Sequence, residues 1–399
     1  MKALTRSASL SALVLCAAAA QGAETLAVGP GKKYAKPSQA IAAAKDRDII
    51  EIDAAGKYVD DSAKVRANRL TLRGVGEGRA VLRCTKNLPN GKGIFVTKGS
   101  RLVIENIEFI GARVRDRNGA GIRADGKDLT VRNCRFHDCQ DAILGGAGVV
   151  LIEHCEFSHN GKSRHPVTHN LYMSRRVDKL IYRFNYSHFT DVGHLLKSRA
   201  KENHILYNRL TDEDGTGSYV INLPNGGKGV IIGNVLHKGR RGSNTTIIAY
   251  GEEGKVWPRS ELTIINNTMI NEYPRGKPWF IRVRKVPEDF KLVVKNNLFA
   301  GRGTVCNWAK AEMAANFAGD PKFVDRAKWD LRLRNGSPCI DKGVDPGNLF
   351  IKHLEEEGKM HVERRPLRPR FQYVHPHAKE KRPTVGKLDI GAYEYVPAK

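Results

Sequence analysis

Leu102-Val-Ile-Glu-Asn106-Ile-Glu-Phe, Leu129-Thr-Val-Arg-Asn133-Cys-Arg-Phe and Leu151-Ile-Glu-His154-Cys-Glu-Phe are three versions of one phrase. It returns as Ile181-Tyr-Arg-Phe-Asn185, Ile205-Leu-Tyr-Asn208, Ile231-Ile-Gly-Asn234, Ile264-Ile-Asn-Asn267 and Val293-Val-Lys-Asn-Asn297. The polar residue recurs at intervals of 21 to 33 residues. Apolar and polar positions alternate over four to six residues with many β-branched side chains, which is a strand pattern and not the 3.6-residue period of a helix. A second short strand follows within each repeat, as in Gly93-Ile-Phe-Val, Asp141-Ala-Ile-Leu, Tyr219-Val-Ile-Asn and Thr246-Ile-Ile-Ala. Such units cannot bury an apolar face alone, so they must stack. The expectation is an all-β chain wound as a right-handed parallel β-helix, with the recurrent Asn stacked as a ladder at a bend that tolerates left-handed backbone angles.

The ends of a solenoid need covering. Residues 38–46 read as a short N-terminal capping helix with Ser38 as N-cap and Ala40, Ile41 and Ala44 on its apolar face. The β-helix with its cap is expected over residues 24–348. A basic, Pro-containing loop excursion and a closing strand, Asp389-Ile-Gly-Ala-Tyr-Glu-Tyr, are expected over 349–399. Residues 1–23 have the form of an export signal: Lys2 and Arg6, then an apolar run too short to span a bilayer, then small residues. A secreted or periplasmic monomer without a membrane span is therefore expected. Export permits disulfides; Cys84, Cys134, Cys139, Cys155, Cys306 and Cys339 show no zinc spacing, and Cys134 and Cys155 occupy equivalent repeat positions.

The 399 residues carry a formal charge of +25. Such an excess favours a polyanionic partner. Nucleic acid is set aside because no nucleic-acid-binding fold signature with interleaved aromatics is present; acidic polysaccharide and anionic lipid remain, beside a basic surface that has no partner.

Leu171, Leu196 and Ile221 lie 25 residues apart, as do Tyr172, Lys197 and Asn222. If the first column points inward, alternation sends the second outward, with Arg199 two residues beyond Lys197. His194 is three residues before Lys197, so it and His169 must sit at a bend or point inward. Removal of the weakly acidic C5 proton of a uronate needs a neutralised carboxylate, a base, and an acid for the departing oxygen. Lys197 is the first choice of base, because Arg199, Lys201 and a protonated His194 would disfavour its charged form. Tyr172 and His169 are the next candidates. Arg199, Asn222 and Asn225 are candidates for the carboxylate and the sugar, and Asn170 and Tyr250 complete the expected substrate-binding set. Asp191, Asp212 and Asp214 are candidate Ca²⁺ ligands, being hard oxygen donors. A hydrolase of the same fold would need two facing carboxylates, for which Asp191 and Asp214 are the pair to examine. An epimerase would share the first proton abstraction, and a non-catalytic polysaccharide-binding solenoid would use the same residues as hydrogen-bonding partners.

The whole mature chain resembles the pectate-lyase-type β-helix superfamily, and Leu195-Leu-Lys197-Ser198 followed by strand-Asn turns resembles the chondroitinase B/alginate lyase family. The resemblance implies a Lys base in a Lys-Ser pair, matched by Lys197-Ser198. It also implies an Arg acid in an Arg-His-Gly segment one coil later and a calcium ion that neutralises the uronate. The next coil instead reads Asn222-Leu-Pro-Asn225-Gly-Gly.

Overall fold

The computed structural model describes residues 22–161, 168–354 and 360–397. The export segment expected over 1–23 lies, up to residue 21, outside them. Among the described residues, short strands stack into three parallel sheets of 12, 11 and 10 strands, each rung of the chain visiting all three. One rung comprises Leu129–Arg132, Arg135–His137 and Asp141–Gly145. Leu129 and Val131 are buried while Thr130 and Arg132 face out, so the two-residue period decides which side chains fill the solenoid. Identical residues stack along the axis. Phe109, Phe136 and Phe157 lie face to face with ring centroids 4.8 and 5.2 Å apart. The result is one continuous core, as expected of a solenoid.

The Asn repeat resolves into two adjacent columns. Asn106, Asn133 and His154 occupy left-handed backbone positions (φ 57°, 47° and 56°), a column continued by Phe184, Tyr207, Asn266 and Asn296. Asn185, Asn208, Asn234, Asn267 and Asn297 stand one place later and are fully buried. Here each side-chain oxygen accepts the backbone N–H of the rung before: Asn185 to Asn208, Asn208 to Asn234, Asn234 to Asn267, Asn267 to Asn297, all at 2.9 Å. Cys134 and Cys155 hold this inner column in the earlier rungs, where the Cys155 N–H donates to Asn185 Oδ1 at 2.9 Å. All six described cysteines are free thiols.

A helix α1 spans Pro37–Ala43 and buries Ala40 and Ile41. Lys36, not Ser38, is its N-cap; Pro37 takes the first turn, where a missing N–H costs nothing. No described helix is long and apolar enough to cross a membrane. The expected C-terminal loop excursion is instead two antiparallel hairpins, Asn348–Leu354 with Met360–Pro366 and Phe371–Val374 with Ala378–Lys381. The expected closing strand is irregular: Ile390 and Ala392 pack on Val235, Ile270 and Leu298, and a buried Arg382–Glu394 ion pair (2.8 Å) holds it.

Truncating Asn208 to Ala orphans the Asn185 N–H and the Tyr182 carbonyl, at about 1–3 kcal/mol for each buried group left unpaired. Thermal unfolding is expected several degrees lower with an unchanged far-ultraviolet circular dichroism spectrum; an unaltered midpoint contradicts a structural ladder.

Candidate active site

In the ten-stranded sheet Tyr172 pairs with Lys197 and Lys197 with Asn222, while Leu196 pairs with Ile221. The apolar partners are fully buried. Tyr172, Lys197 and Asn222 therefore form one column on the side of the sheet away from the core, with Arg199 just beyond the strand end on the same wall, although Asn222 itself is buried and not open to a ligand as expected. Arg199 organises the group. Its Nε donates to Tyr172 Oη at 2.9 Å, one terminal nitrogen to Asn225 Oδ1 at 2.8 Å, and the other to Glu253 Oε2 at 2.5 Å. Lys197 Nζ reaches the second oxygen of Glu253 at 2.8 Å. Asn225 is held in turn by donating to the Gly254 carbonyl at 2.7 Å. The Asn225-Gly-Gly turn requires glycine at Gly227, whose φ is 87° and where a Cβ would lie 2.5 Å from the Lys201 carbonyl.

Burial and charge set the protonation states. The Lys197 side chain is only 12% exposed. Its desolvation pulls the pKa below the ordinary lysine value; Glu253 opposes this and Arg199 adds to it. Burial works against the Glu253 carboxylate, yet the bonds from Lys197 and Arg199 hold its pKa below the usual range.

His169 and His194 lie beneath this wall at the bend before each strand. Their rings stack with centroids 4.7 Å apart. His169 Nδ1 accepts the His194 N–H at 3.1 Å and His194 Nδ1 accepts the Tyr219 N–H at 3.1 Å. The neutral rings thus carry their proton on Nε2; in His194 that nitrogen lies 3.2 Å from the Asn222 side-chain amide, whose otherwise unpartnered oxygen accepts the proton once the amide is turned over. Burial, reinforced by Lys197, Arg199 and the neighbouring cations, pushes both pKa values well below the ordinary histidine value. A protonated His194, expected from sequence as a neighbour of Lys197, is excluded by this setting. Asp141, one rung before His169, accepts its N–H at 2.7 Å, and burial raises the Asp141 carboxyl to about 8.

Two expected substrate contacts move elsewhere. Tyr250 is fully buried and its hydroxyl donates to the Gly227 carbonyl, so it supports the Asn225 turn from inside. Asn170 is fully buried at the corner, donating to Ser187 Oγ at 3.0 Å and the His188 carbonyl at 3.1 Å. Neither presents a polar group to the wall. The acidic trio does not converge: Asp212 forms a fully buried ion pair with Lys238, Asp191 accepts the Thr216 hydroxyl at 2.8 Å, and Asp214 is exposed. Among the described residues no group of three His, Cys, Asp or Glu side chains could hold a metal ion. This donor set does not fit the calcium ion that the resemblance implies.

Sequence reasoning missed Glu253 as the partner of both cations. Counting rungs finds it, because Glu253 follows Ala249, which pairs with Asn222. Trp257 was also missed; its Nε1 donates to the Arg199 carbonyl at 3.2 Å and the Arg175 guanidinium covers its ring at 4.3 Å.

A family model described as a right handed beta helix region matches residues 58–269. No curated protein sequence matches this chain. Among solved structures, the pectate lyase Pel9A aligns with a TM-score of 0.58 and 14% identity over 90% of this chain and 90% of its own. The PL6 family alginate lyase AlyGC gives 0.43 and 14% over 85% of this chain and 55% of its own. An alginate lyase from Paenibacillus sp. str. FPU-7 gives 0.42 and 10% over 74% and 99%. The likeness to Pel9A is one of fold, a pectate-lyase-like parallel β-helix.

Because both histidines bind protons less readily folded than unfolded, stability should fall as pH drops below about 6.5, the unfolded histidine pKa. Ring ¹⁵N NMR at pH 6 is expected to find His169 and His194 neutral with the proton on Nε2. Titration of either ring near its ordinary pKa would contradict the buried stack.

Proposed function

We propose, from the premise that this chain belongs to the right handed beta helix region family, that it is a lyase cleaving an acidic, uronate-containing polysaccharide by β-elimination. One observation carries the reading: a largely buried lysine, its pKa lowered by desolvation, stands beside a hydrogen-bonded tyrosine–arginine pair on one outer wall of the solenoid. A pectate lyase with the same fold agrees with it. The basic charge of the chain suits the substrate.

The proposed steps balance within the wall. A substrate carboxylate takes the place of Glu253 on Arg199, whose guanidinium offers a charge-assisted, two-pronged contact. Neutralising that carboxylate stabilises the charge that develops when C5 loses its proton. Lys197, as free amine, takes the proton; the electron pair becomes the C4–C5 double bond and the C4–O bond breaks. Tyr172 gives its hydroxyl proton to the leaving oxygen, which fills the role that the missing Arg-His-Gly segment leaves open. Arg199, bonded to Tyr172 Oη at 2.9 Å, steadies the resulting phenolate, and the Lys197 ammonium returns a proton to it. His169 and His194, neutral and inside, position Asn222 and the strand starts and take no proton. Carboxylate neutralisation falls to Arg199 in place of calcium. The same reading takes α1 as the cap of the first rung and the protein as an exported monomer.

Lys197→Ala is expected to reduce formation of the ultraviolet-absorbing unsaturated product by about 10²–10⁴-fold, the usual worth of a general base, with circular dichroism unchanged. A variant that keeps most of its activity would falsify the assignment. Wild-type rate should climb with pH through a midpoint below the ordinary lysine value, and excess EDTA should leave it intact; loss with EDTA would return the carboxylate to a metal. Glu253→Gln removes the contribution that raises the Lys197 pKa, so its pH–rate profile should move to lower pH. A shift to higher pH would contradict the sign.

A further inference from the structure

Lys238 ends the strand Val235–Lys238 of the eleven-stranded sheet and has no exposed surface. Its Nζ donates to Asp212 Oδ2, to the Gly217 carbonyl at 2.7 Å and to the Ser218 carbonyl. Three acceptors use three N–H groups, so this is the geometry of an ammonium and not of a free amine. A Cβ at Gly242 would lie 2.5 Å from Nζ, which shows how closely the charge is enclosed. A buried ion pair brings little net stability, because both charges lose their water. Pinning the chain at this bend does not itself need a charge. One rung later Asn271, the partner of Lys238, holds the Thr245 and Trp279 carbonyls with its amide at 3.2 and 3.4 Å.

The carbonyls held by Lys238 begin the segment to which the Lys197 strand is bonded. Ser218 N–H donates to the Gly193 carbonyl at 2.7 Å, Leu195 N–H to that of Tyr219 at 3.2 Å and Leu196 N–H to that of Val220 at 3.1 Å. Tyr219 N–H in turn donates to His194 Nδ1 at 3.1 Å. The His194 ring meets His169, Tyr219 and the Asn222 amide. Burial first, then His169, Lys197, Lys238 and Arg199, disfavour its protonation. The corresponding influences on His169 are burial, Lys197 and Arg199. The charge of Lys238 therefore separates two rings that otherwise share one environment. We infer that Lys238 is a positioning residue for the elimination at Lys197: from inside the solenoid it fixes residues 218–220 beside the Lys197 strand and keeps His194 an acceptor for the Tyr219 N–H. The inference rests on the lyase reading for the reaction it serves. Enclosed as it is, Lys238 meets no substrate and transfers no proton.

The test removes both charges of the full chain together, Lys238→Met with Asp212→Asn, because loss of the lysine alone would strand a buried carboxylate. Circular dichroism and melting temperature should stay close to those of the wild type. Ring ¹⁵N NMR should find His194 titrating at higher pH than in the wild type, by about half a pH unit or more, with His169 unmoved. Formation of unsaturated product should show kcat about tenfold lower, the scale on which small misplacements act, with KM changed by less than about twofold. If this variant does not fold, Lys238→Gln with Asp212→Asn takes its place. It keeps an amide donor for the carbonyls, and the same His194 shift is expected of it. A His194 titration that stays in place, or that moves together with His169, overturns the inference, as does an unchanged kcat. A wild type that forms no unsaturated product refutes the lyase reading instead, and the His194 titration alone then judges the hold of Lys238 on the ring.

Discussion

The inner asparagine ladder is the constraint on which the rest depends. A parallel stack of short strands can slip, and a shift of one residue would turn every outward side chain inward. From Asn185 to Asn297 each amide reaches the preceding rung twice: its oxygen accepts an N–H of that rung, as Asn208 does for Asn185 at 2.9 Å, and its nitrogen donates to a carbonyl of the same rung, as Asn208 does to Tyr182 at 2.9 Å. Buried amides left without partners are costly, so the chain has one register in which all are satisfied. That register sets Leu171, Leu196 and Ile221 inside and Tyr172, Lys197 and Asn222 outside. It is also why loops of very different length between rungs do not disturb the wall.

Electrostatics then decides what the wall can do. The site gathers cations over a buried, uncharged floor: two stacked histidines that burial keeps neutral. Lys197 feels opposing influences, with desolvation and Arg199 favouring the amine and Glu253 favouring the ammonium. Glu253 is the more exposed partner, at 41% against 12% for Lys197, so it is the group that an incoming carboxylate displaces at least cost. A basic face with a tuned lysine and no convergent acidic set suits proton abstraction better than the paired-carboxylate chemistry of a hydrolase, since Asp191 and Asp214 are respectively tied to Thr216 and exposed.

The solenoid was legible in the sequence because its strands keep a strict two-residue period and recur with bend residues of fixed chemistry. The Tyr172–Lys197–Asn222 column was legible for the same reason, through the equal spacing of the residues beside it. Asn170 and Tyr250 were misplaced where that logic stops. Asn170 lies at a corner, where alternation does not say which way a side chain turns, and Tyr250 sits at an inward position of its strand with a polar tip that a backbone carbonyl satisfies. The Asn repeat was read as one column because Asn106 and Asn185 look alike in sequence, although one serves a left-handed backbone angle and the other an interior hydrogen bond. The hairpins that pair Asn348–Leu354 with Met360–Pro366 and Phe371–Val374 with Ala378–Lys381 escaped notice because their strands lie outside the repeat. Glu253 needs the fold itself, since it reaches Lys197 across 56 residues of chain.

The most direct measurement is a crystal structure of the Lys197→Ala protein with a bound oligouronate. The account expects one sugar carboxylate on Arg199 with Glu253 turned away, C5 facing the gap left by the amine, and the glycosidic oxygen beside Tyr172 Oη. A chain bound to another sheet, or one whose C5 hydrogen points away from that gap, would contradict elimination at this wall.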